Sequence, residues 1–482
     1  MADNKNPVIL WFRKDLRLAD NHALSAAVDH GGAVIPVYIR DENNGSTGAL
    51  GGAQAWWLHH SLEALSAALE KAGSKLILLS GDAEKVLKKL VSDTGATSVF
   101  WNRRYDPQGI EIDSNIKKNF RDEGLEVESF AGHLIHEPSR LKTKTGGPYR
   151  VYTPFWRAIE AGDEPDEPLS APSKLASPSR WPKSEELKDW KLLPTKPDWA
   201  KEFSDVWAPG EASAAEKLET FIDTSLKGYE EGRDFPAKPA TSMLSPHLAM
   251  GEISPAQVWH ATRGLPHNIP SHDLSRFRKE IVWREFCYHL LFHFPKLGTK
   301  NWNDSFDAFE WKTDTAKFDA WKTGMTGYPV VDAGMRQLWR HGIMHNRVRM
   351  ITASFLIKHL LIDWREGETW FRDTLVDADP ASNAANWQWV AGSGADASPF
   401  FRIFNPILQG EKFDPYGEYV KTFVPELSKL DRKFIHKPFD APGEALRKAG
   451  VGLGKDYPKP IVDHNQSRQR ALAAYSTIKK SG

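Results

Sequence analysis

Between Asp377 and Trp389 the chain reads D-A-D-P-A-S-N-A-A-N-W-Q-W. The carboxylates of Asp377 and Asp379 and the amide of Asn383 offer polar groups to the edge of a flat ligand. Ala381, Ser382, Ala384 and Ala385 are small enough to let backbone approach its face. Two readings stand: a pocket wall, or a proline-punctuated turn entering a buried helix with ordinary core tryptophans. At 241–247, T-S-M-L-S-P-H places Ser245 as a helix N-cap with Pro246 in the first turn. Free N–H groups beside hydroxyls suit a phosphate, and a plain capped helix carries the same signature. On the helix expected over Asp273–Phe294, the residues Phe277, Glu280, Trp283, Arg284 and Cys287 share one face. They either meet a planar heterocycle or comprise an i, i+4 surface pair, Glu280 with Arg284, beside a core tryptophan. Over 344–350, Arg347 and Met350 share a face and Asn346 and Arg349 share the next, which reads as two ligand-facing stripes or as a solvated basic face.

Other chemistries find no support. The pairs His289/His293 and His341/His345 have i, i+4 spacing but enclose no zincin glutamate, so no metal is expected. After the first apolar run comes R-K-D-L-R-L-A-D-N, which contains no G-x-G-x-x-G. The loop Gly45–Gly52 lacks the Lys-Ser or Lys-Thr of a phosphate-binding P-loop, and Gly392-Ser-Gly394 has no strand leading into it. The lone cysteine, Cys287, excludes an intrachain disulfide and suits a reducing compartment. M-A-D-N-K-N-P is no signal core and no run of eighteen apolar residues occurs, so a cytoplasmic protein without a membrane partner is expected. Lys plus Arg and Asp plus Glu balance at 63 each, leaving any basic face local; the 19 tryptophans suit a large core or stacking and redox work.

These residues need elements to hold them. Val8–Phe12, Ala33–Ile39, Leu76–Leu79, Ser98–Trp101 and Leu125–Ser129 read as strands alternating with helical patterns at Asn21–Asp29, Trp56–Ala72 and Ala83–Ser92. That alternation predicts a doubly wound parallel five-stranded sheet. From about Glu160 to Glu211 the composition turns to Pro, Ser, Lys and Asp. This is a long connector, with Trp181, Trp190, Trp199 and Trp207 as pins. After Ala212 the pattern is helical throughout, including Ser254–Ala261, Thr315–Lys322, Val331–Arg340, Met344–Trp364 and Thr369–Leu375. The expected fold is therefore α/β plus all-α: residues 1–132 an α/β domain, 133–211 a connector, 212–482 an all-helical domain large enough to enclose a cofactor of several rings.

W-F-R-K-D-L-R-L-A-D-N at 11–21, T-S-M-L-S-P-H-L at 241–248 and W-R-E-F at 283–286 are followed by T-G-Y-P-V-V-D-A-G-M-R-Q-L at 326–338. H-N-R-V-R-M at 345–350, D-W-R-E-G-E at 363–368 and F-R-I-F-N-P at 401–406 complete the series. With these motifs in this order the chain resembles the DNA photolyase and cryptochrome family over nearly its whole length. The resemblance implies an N-terminal α/β domain that often holds an antenna pigment and a helical domain holding a U-shaped FAD. It implies flavin contacts from Tyr229, Thr241, Ser242, Leu244, Ser245, Phe277, Glu280, Arg284, Asn346, Arg349, Asp377, Asp379 and Asn383. It further implies an ion pair between Arg349 and Asp377 and a place for Asn383 facing flavin N5. Trp311, Trp364 and Trp387 match the electron-transfer tryptophans.

Glu280, Trp283, Arg347, Met350 and Trp389 are similar to the lesion contacts of photolyases that repair cyclobutane pyrimidine dimers, in a class near the plant cryptochromes. Those cryptochromes have aspartate where this chain has Asn383 and usually extend far beyond its length. The implied activity is light-driven electron transfer from reduced FAD to a flipped-out dimer in ultraviolet-damaged DNA, by a monomeric carbon–carbon lyase. The alternative is a flavin photoreceptor without repair. The implied antenna is methenyltetrahydrofolate, placed against Trp56 or Trp57, whose other reading is helix packing. Folate-binding relatives carry an Asn-Glu pair after the fourth strand, where this chain reads R-R-Y-D-P-Q-G at 103–109.

Overall fold

The computed structural model describes residues 6–41, 50–265, 269–397 and 401–480, and most of the loop Gly45–Gly52 lies outside them. The chain forms two compact units. The first comprises Met1–Asp198, Trp207–Lys227 and Ser242–Pro295, the second Trp199–Val206, Gly228–Thr241 and Lys296–Gly482. The helices Glu211–Thr224 and Ser271–His293 thus group with the sheet.

In the first unit the apolar runs become β1 (Val8–Phe12), β2 (Val34–Arg40), β3 (Ile77–Ser80), β4 (Ser98–Asn102) and β5 (Glu126–Phe130). They form one sheet in the order β3-β2-β1-β4-β5, all pairs parallel. All five residues of β1 are buried, as a central strand with both faces covered requires. The crossovers are α1 (His22–His30), α2 (Gly52–Lys71), α3 (Ala83–Thr94) and α4 (Pro107–Asp122). The sequence pattern does not announce α4, because only Gly109, Asp113, Ile116 and Phe120 turn inward and two of these are not apolar. Its start is nonetheless marked by the Asp106 side chain accepting from the Gly109 amide, with Pro107 in the first turn.

The strand order reverses at β1, between β2 and β4, where doubly wound folds bind ligands beyond the carboxyl ends of the strands. Here that crevice holds the protein's own charges. Arg13 Nη1 lies 3.2 Å from both Asp113 oxygens. Asn102 Nδ2 donates to Asp15 at 2.7 Å and to Asn21 at 2.8 Å, and Arg17 Nη2 donates to the carbonyls of Asp20 and Gly132. The motif R-K-D-L-R-L-A-D-N therefore replaces a dinucleotide fingerprint with a buried network of charges and amides.

The connector contains only two 3₁₀ turns, Leu187–Trp190 and Phe203–Asp205, between the helix Tyr152–Glu160 and the helix Glu211–Thr224. It runs along the edge strand β3, with the Glu185 amide donating to Leu78 O and the Leu78 amide to Ser184 Oγ. An edge that would otherwise recruit another chain is thereby paired. Its tryptophans pin it. Trp181 packs on the sheet core, Trp190 on Tyr38 and Trp207 on Trp57 in the first unit; Trp199 packs on Phe203 in the second.

In the second unit, the single helix expected over Met344–Trp364 is instead two helices with a break. Asn346–Ser354 runs into a π turn, Phe355–His359, and the chain then stops until the helix Trp364–Thr374. The hydrophobic pattern is continuous across the break. What ends the first helix is the widened turn with Leu361 at φ 56°, and what starts the second is the Asp363 side chain accepting from the Arg365 amide. Helix Pro329–His341 packs closely against Asn346–Ser354 at Gly334, where a Cβ would stand 2.4 Å from Val348 Cγ1. No helix among the described residues is long and apolar enough to cross a membrane.

The π turn also carries a buried lysine. Lys358 donates to the Arg402 carbonyl and sits 4.7 Å from the Phe401 ring, which stacks on Tyr475 of the helix His464–Lys480. Burial, reinforced by Arg402, pushes its pKa down from 10.5 to about 7. Between those values the unfolded chain holds a proton that the folded protein has lost, so this group makes stability rise with pH across that window. We expect denaturation midpoints of Lys358→Met to rise less than those of the parent between pH 7 and 10, with the two curves parallel below pH 6.

Candidate functional site

The helix Pro380–Ala391 begins at Asp379, whose side chain accepts from the amides of Ala381 and Ser382 at 3.0 and 2.7 Å. Pro380 follows in the first turn. Just before it, Asp377 meets Arg349: Nη2 lies 3.1 and 2.8 Å from the two carboxylate oxygens, and Nε donates to the Met344 carbonyl. The expected ion pair is therefore present. Asp377 is 5% exposed and Arg349 26%, leaving Nη1 of Arg349 to donate elsewhere. Asn346 is exposed at the start of the same helix.

Asn383 is held by a residue to which the sequence assigned no role. Its Nδ2 donates to the backbone carbonyl of Glu368 at 3.0 Å and to Glu368 Oε1 at 2.9 Å. With both hydrogens engaged, the side-chain carbonyl is the group left to present. Burial raises the Glu368 pKa, opposed by Arg372 and by the Asn383 bond. Glu368 closes the motif D-W-R-E-G-E, so its position was visible but its partner was not.

Two tryptophans of this helix flank Gln388, which is fully buried and fully bonded. Gln388 Nε2 donates to Leu297 O and Lys300 O at 2.7 and 2.9 Å, and its carbonyl accepts from the Trp302 amide. The clamp sets the helix rotation that sends Trp387 inward, 3% exposed, and leaves Trp389 partly exposed with its indole N–H on Asp396 O. Trp387 lies edge-on to Phe371 at 4.9 Å and to Trp321 at 6.3 Å. Gly367 lets the helix Trp364–Thr374 reach it, because a Cβ there would stand 2.2 Å from the indole. Trp364 is fully buried with its N–H on Asn301 Oδ1, while Trp311 is partly exposed against Phe309. Trp370 stacks parallel to Trp339 at 6.1 Å, and Trp339 is 48% exposed. Trp370, which also packs on the helical core, is thus one half of a stack that reaches solvent.

Arg347 donates to Asp234 at 2.6 Å and lies 4.4 Å from the Phe413 ring; Met350 Sδ is 3.9 Å from Nη1. His345 caps the helix by accepting from the Arg347 amide through Nδ1, which leaves Nε2 without a protein partner. Desolvation first, and Arg233 next, push the His345 pKa down to about 4, so the ring is neutral at pH 7. In the same unit Tyr229 is buried beneath the Arg233 guanidinium and Thr241 is partly exposed.

In the first unit the expected cap is displaced by one residue. Leu244 occupies the N-cap position of the helix Ser245–Met250 and Ser245 is its first residue, with no side-chain cap. Met243 at φ 54° turns the chain so that Ser245 lands inside the helix, and the Ser245 side chain stays exposed beside a partly exposed Ser242. On Ser271–His293, Phe277 is buried against Phe221, and Trp283 is partly exposed beside Tyr152. The surface pair anticipated between Glu280 and Arg284 does not form. Glu280 lies 3.6 Å from Arg276, one turn the other way, while Arg284 turns inward to the carbonyl and ring nitrogen of His133. Trp57 is fully enclosed: its N–H meets Glu252, and Trp207 and His247 pack edge-on against it. Trp56, 5% exposed, lies 4.7 Å from His60. His59, His60 and Glu63 bring three donor atoms within 4.8 Å, a cluster the sequence pairs did not indicate.

Comparison with known proteins agrees with this arrangement. Residues 277–477 match the model of the FAD binding domain of DNA photolyase, and residues 8–173 match DNA photolyase. The chain is 74% identical over 475 residues to a deoxyribodipyrimidine photo-lyase of Agrobacterium fabrum, covering 98% of each. It is 36% identical to cryptochrome-2 of Arabidopsis thaliana, covering 98% of this chain and 79% of that protein. The crystal structure of a class III photolyase from Agrobacterium tumefaciens superposes with a TM-score of 0.97 at 72% identity, covering 100% of this chain and 99% of that one. Sequence motifs, sheet order and near-full-length similarity converge, and this chain belongs to the DNA photolyase and cryptochrome family.

Proposed function

We propose that this chain is a monomeric, cytoplasmic repair lyase that binds FAD and uses light to split cyclobutane pyrimidine dimers in damaged DNA. The observation that carries it is the Asn383 amide locked by Glu368, with its carbonyl left as an acceptor, together with the Arg349–Asp377 pair. That donor and acceptor set fits a reduced isoalloxazine: a neutral acceptor for N5–H, a guanidinium N–H for the ring's polar edge, and no uncompensated carboxylate. Bound and reduced, FAD supplies the photo-excited electron that opens the cyclobutane ring.

The protein's part is to position and to exclude water. Arg349 is immobilised by Asp377 and by Met344 O, so it donates without first reorganising. Trp389 and Trp283 offer partly exposed indole faces for stacking on a base taken out of the duplex, and Met350 adds an apolar contact. Glu280 supplies an acceptor for a pyrimidine imide and Arg347 a cation for a flanking phosphate. Trp387, Trp364 and Trp311 change from enclosed to partly exposed, as a path carrying electrons inward from the surface requires. We include a methenyltetrahydrofolate antenna in the proposal on the family resemblance, against Trp56 or Trp57.

The deciding experiment illuminates the reduced holoprotein with a dimer-containing oligonucleotide. Dimers should disappear in proportion to light dose, and their persistence would favour the photoreceptor alternative. The same preparation should absorb in the near ultraviolet beyond what flavin accounts for. Asn383→Asp would put two carboxyl groups in contact, so the flavin midpoint potential should become more negative than in the parent. The gap should widen as pH rises and the new carboxyl ionises. Trp387→Phe should lose most light-driven reduction of oxidised flavin, followed by absorbance, while chemically reduced enzyme still repairs.

A further inference from the structure

Arg347 is held on several sides within the second unit. Its Nη2 is 2.6 Å from Asp234 Oδ1, its guanidinium lies on the Phe413 ring, and its buried Nε has no partner. The two side chains are 19% and 33% exposed, so the pair is reachable from solvent. Lys412 Nζ stands 5.1 Å from the same Phe413 ring, which places a second cation on one aromatic support. His345 is neutral and adds no charge beside them.

We propose that Asp234 is an intramolecular stand-in for a DNA phosphate at Arg347, and that its displacement helps discriminate damaged from undamaged DNA. The proposal rests on the lesion-side role given to Arg347 above. Binding to undamaged duplex draws almost entirely on phosphate neutralisation, and a cation already neutralised at 2.6 Å contributes little to it. A phosphate that approaches must break a charge-assisted bond and settle beside a carboxylate. Undamaged DNA brings nothing to offset that cost. A flipped dimer brings stacking and base-edge contacts that do. Asp234 is thus a specificity-determining residue that acts through Arg347.

The test compares Asp234→Asn, Asp234→Ser and Arg347→Ala as full-length, FAD-loaded proteins, with flavin content and melting midpoint confirming the fold. Dissociation constants are measured over a range of salt for a duplex carrying one thymine dimer and for the same duplex undamaged. Asn keeps an oxygen to hold the guanidinium but removes the charge. Asp234→Asn should bind undamaged duplex several-fold more tightly at low salt, with a log–log salt slope steeper by up to about 0.9, the value for one more neutralised phosphate. The dimer-containing duplex should gain less, so the ratio of the two constants narrows, and Asp234→Ser should act in the same direction. An unchanged slope, or equal weakening on both duplexes, overturns the proposal and makes Asp234 a strut for Arg347. Arg347→Ala separates the two levels: if it weakens binding while the Asp234 variants do not strengthen it, only the stand-in role fails. If Arg347→Ala leaves binding to damaged duplex unchanged, the lesion-side role of Arg347 fails and the stand-in role with it.

Discussion

The ion pair between Arg349 and Asp377 is the interaction on which the second unit's site depends. It joins the helix Asn346–Ser354 to the turn that begins Pro380–Ala391, and its carboxylate is almost wholly out of water. Removing Arg349 would leave the Asp377 carboxylate, 5% exposed, without its counter-charge, which is destabilising. The pair balances its own charge, and Met344 O takes the remaining guanidinium edge on that side. Neighbouring polar groups are then available to a ligand instead of being consumed by an internal imbalance. Asn383 benefits directly, since its amide answers only to Glu368.

The α/β unit uses buried charge in the opposite way. Arg13 meets Asp113, Asn102 meets Asp15, and Arg17 donates to backbone carbonyls at the strand ends where related sheets hold a nucleotide. The connector completes the sheet by pairing the exposed edge of β3. A chain segment that looks like slack in the sequence is therefore part of the sheet's stability.

Much of this architecture was legible because burial leaves a strong imprint. β1 to β5 fall within one residue of their expected bounds; β1, covered on both faces, is apolar throughout, while the edge strand β5 reads E-V-E-S-F and buries only Val127. Where the inward stripe is thin, as in α4, the imprint fades. Where periodicity runs on through a break, as at Leu361, it misleads, because the π turn and the Asp363 cap are set by what packs around them. Glu280 had an acceptable partner one turn ahead and another one turn behind, and spacing alone does not choose between Arg284 and Arg276.

By itself the sequence determined which chemistries were available: a neutral amide at 383, carboxylates at 377 and 379, cations at 347 and 349, and indoles at 387 and 389. Side-chain type is written in each residue and survives any error in helix boundaries. Tertiary structure alone decided the pairings: Asn383 with Glu368, Arg347 with Asp234, and the Gln388 clamp that sends one indole inward and leaves the next partly exposed. Such pairings depend on helix rotation and on close approaches such as that at Gly367, and rotations of a few tens of degrees leave the hydrophobic period unchanged while exchanging every polar partner.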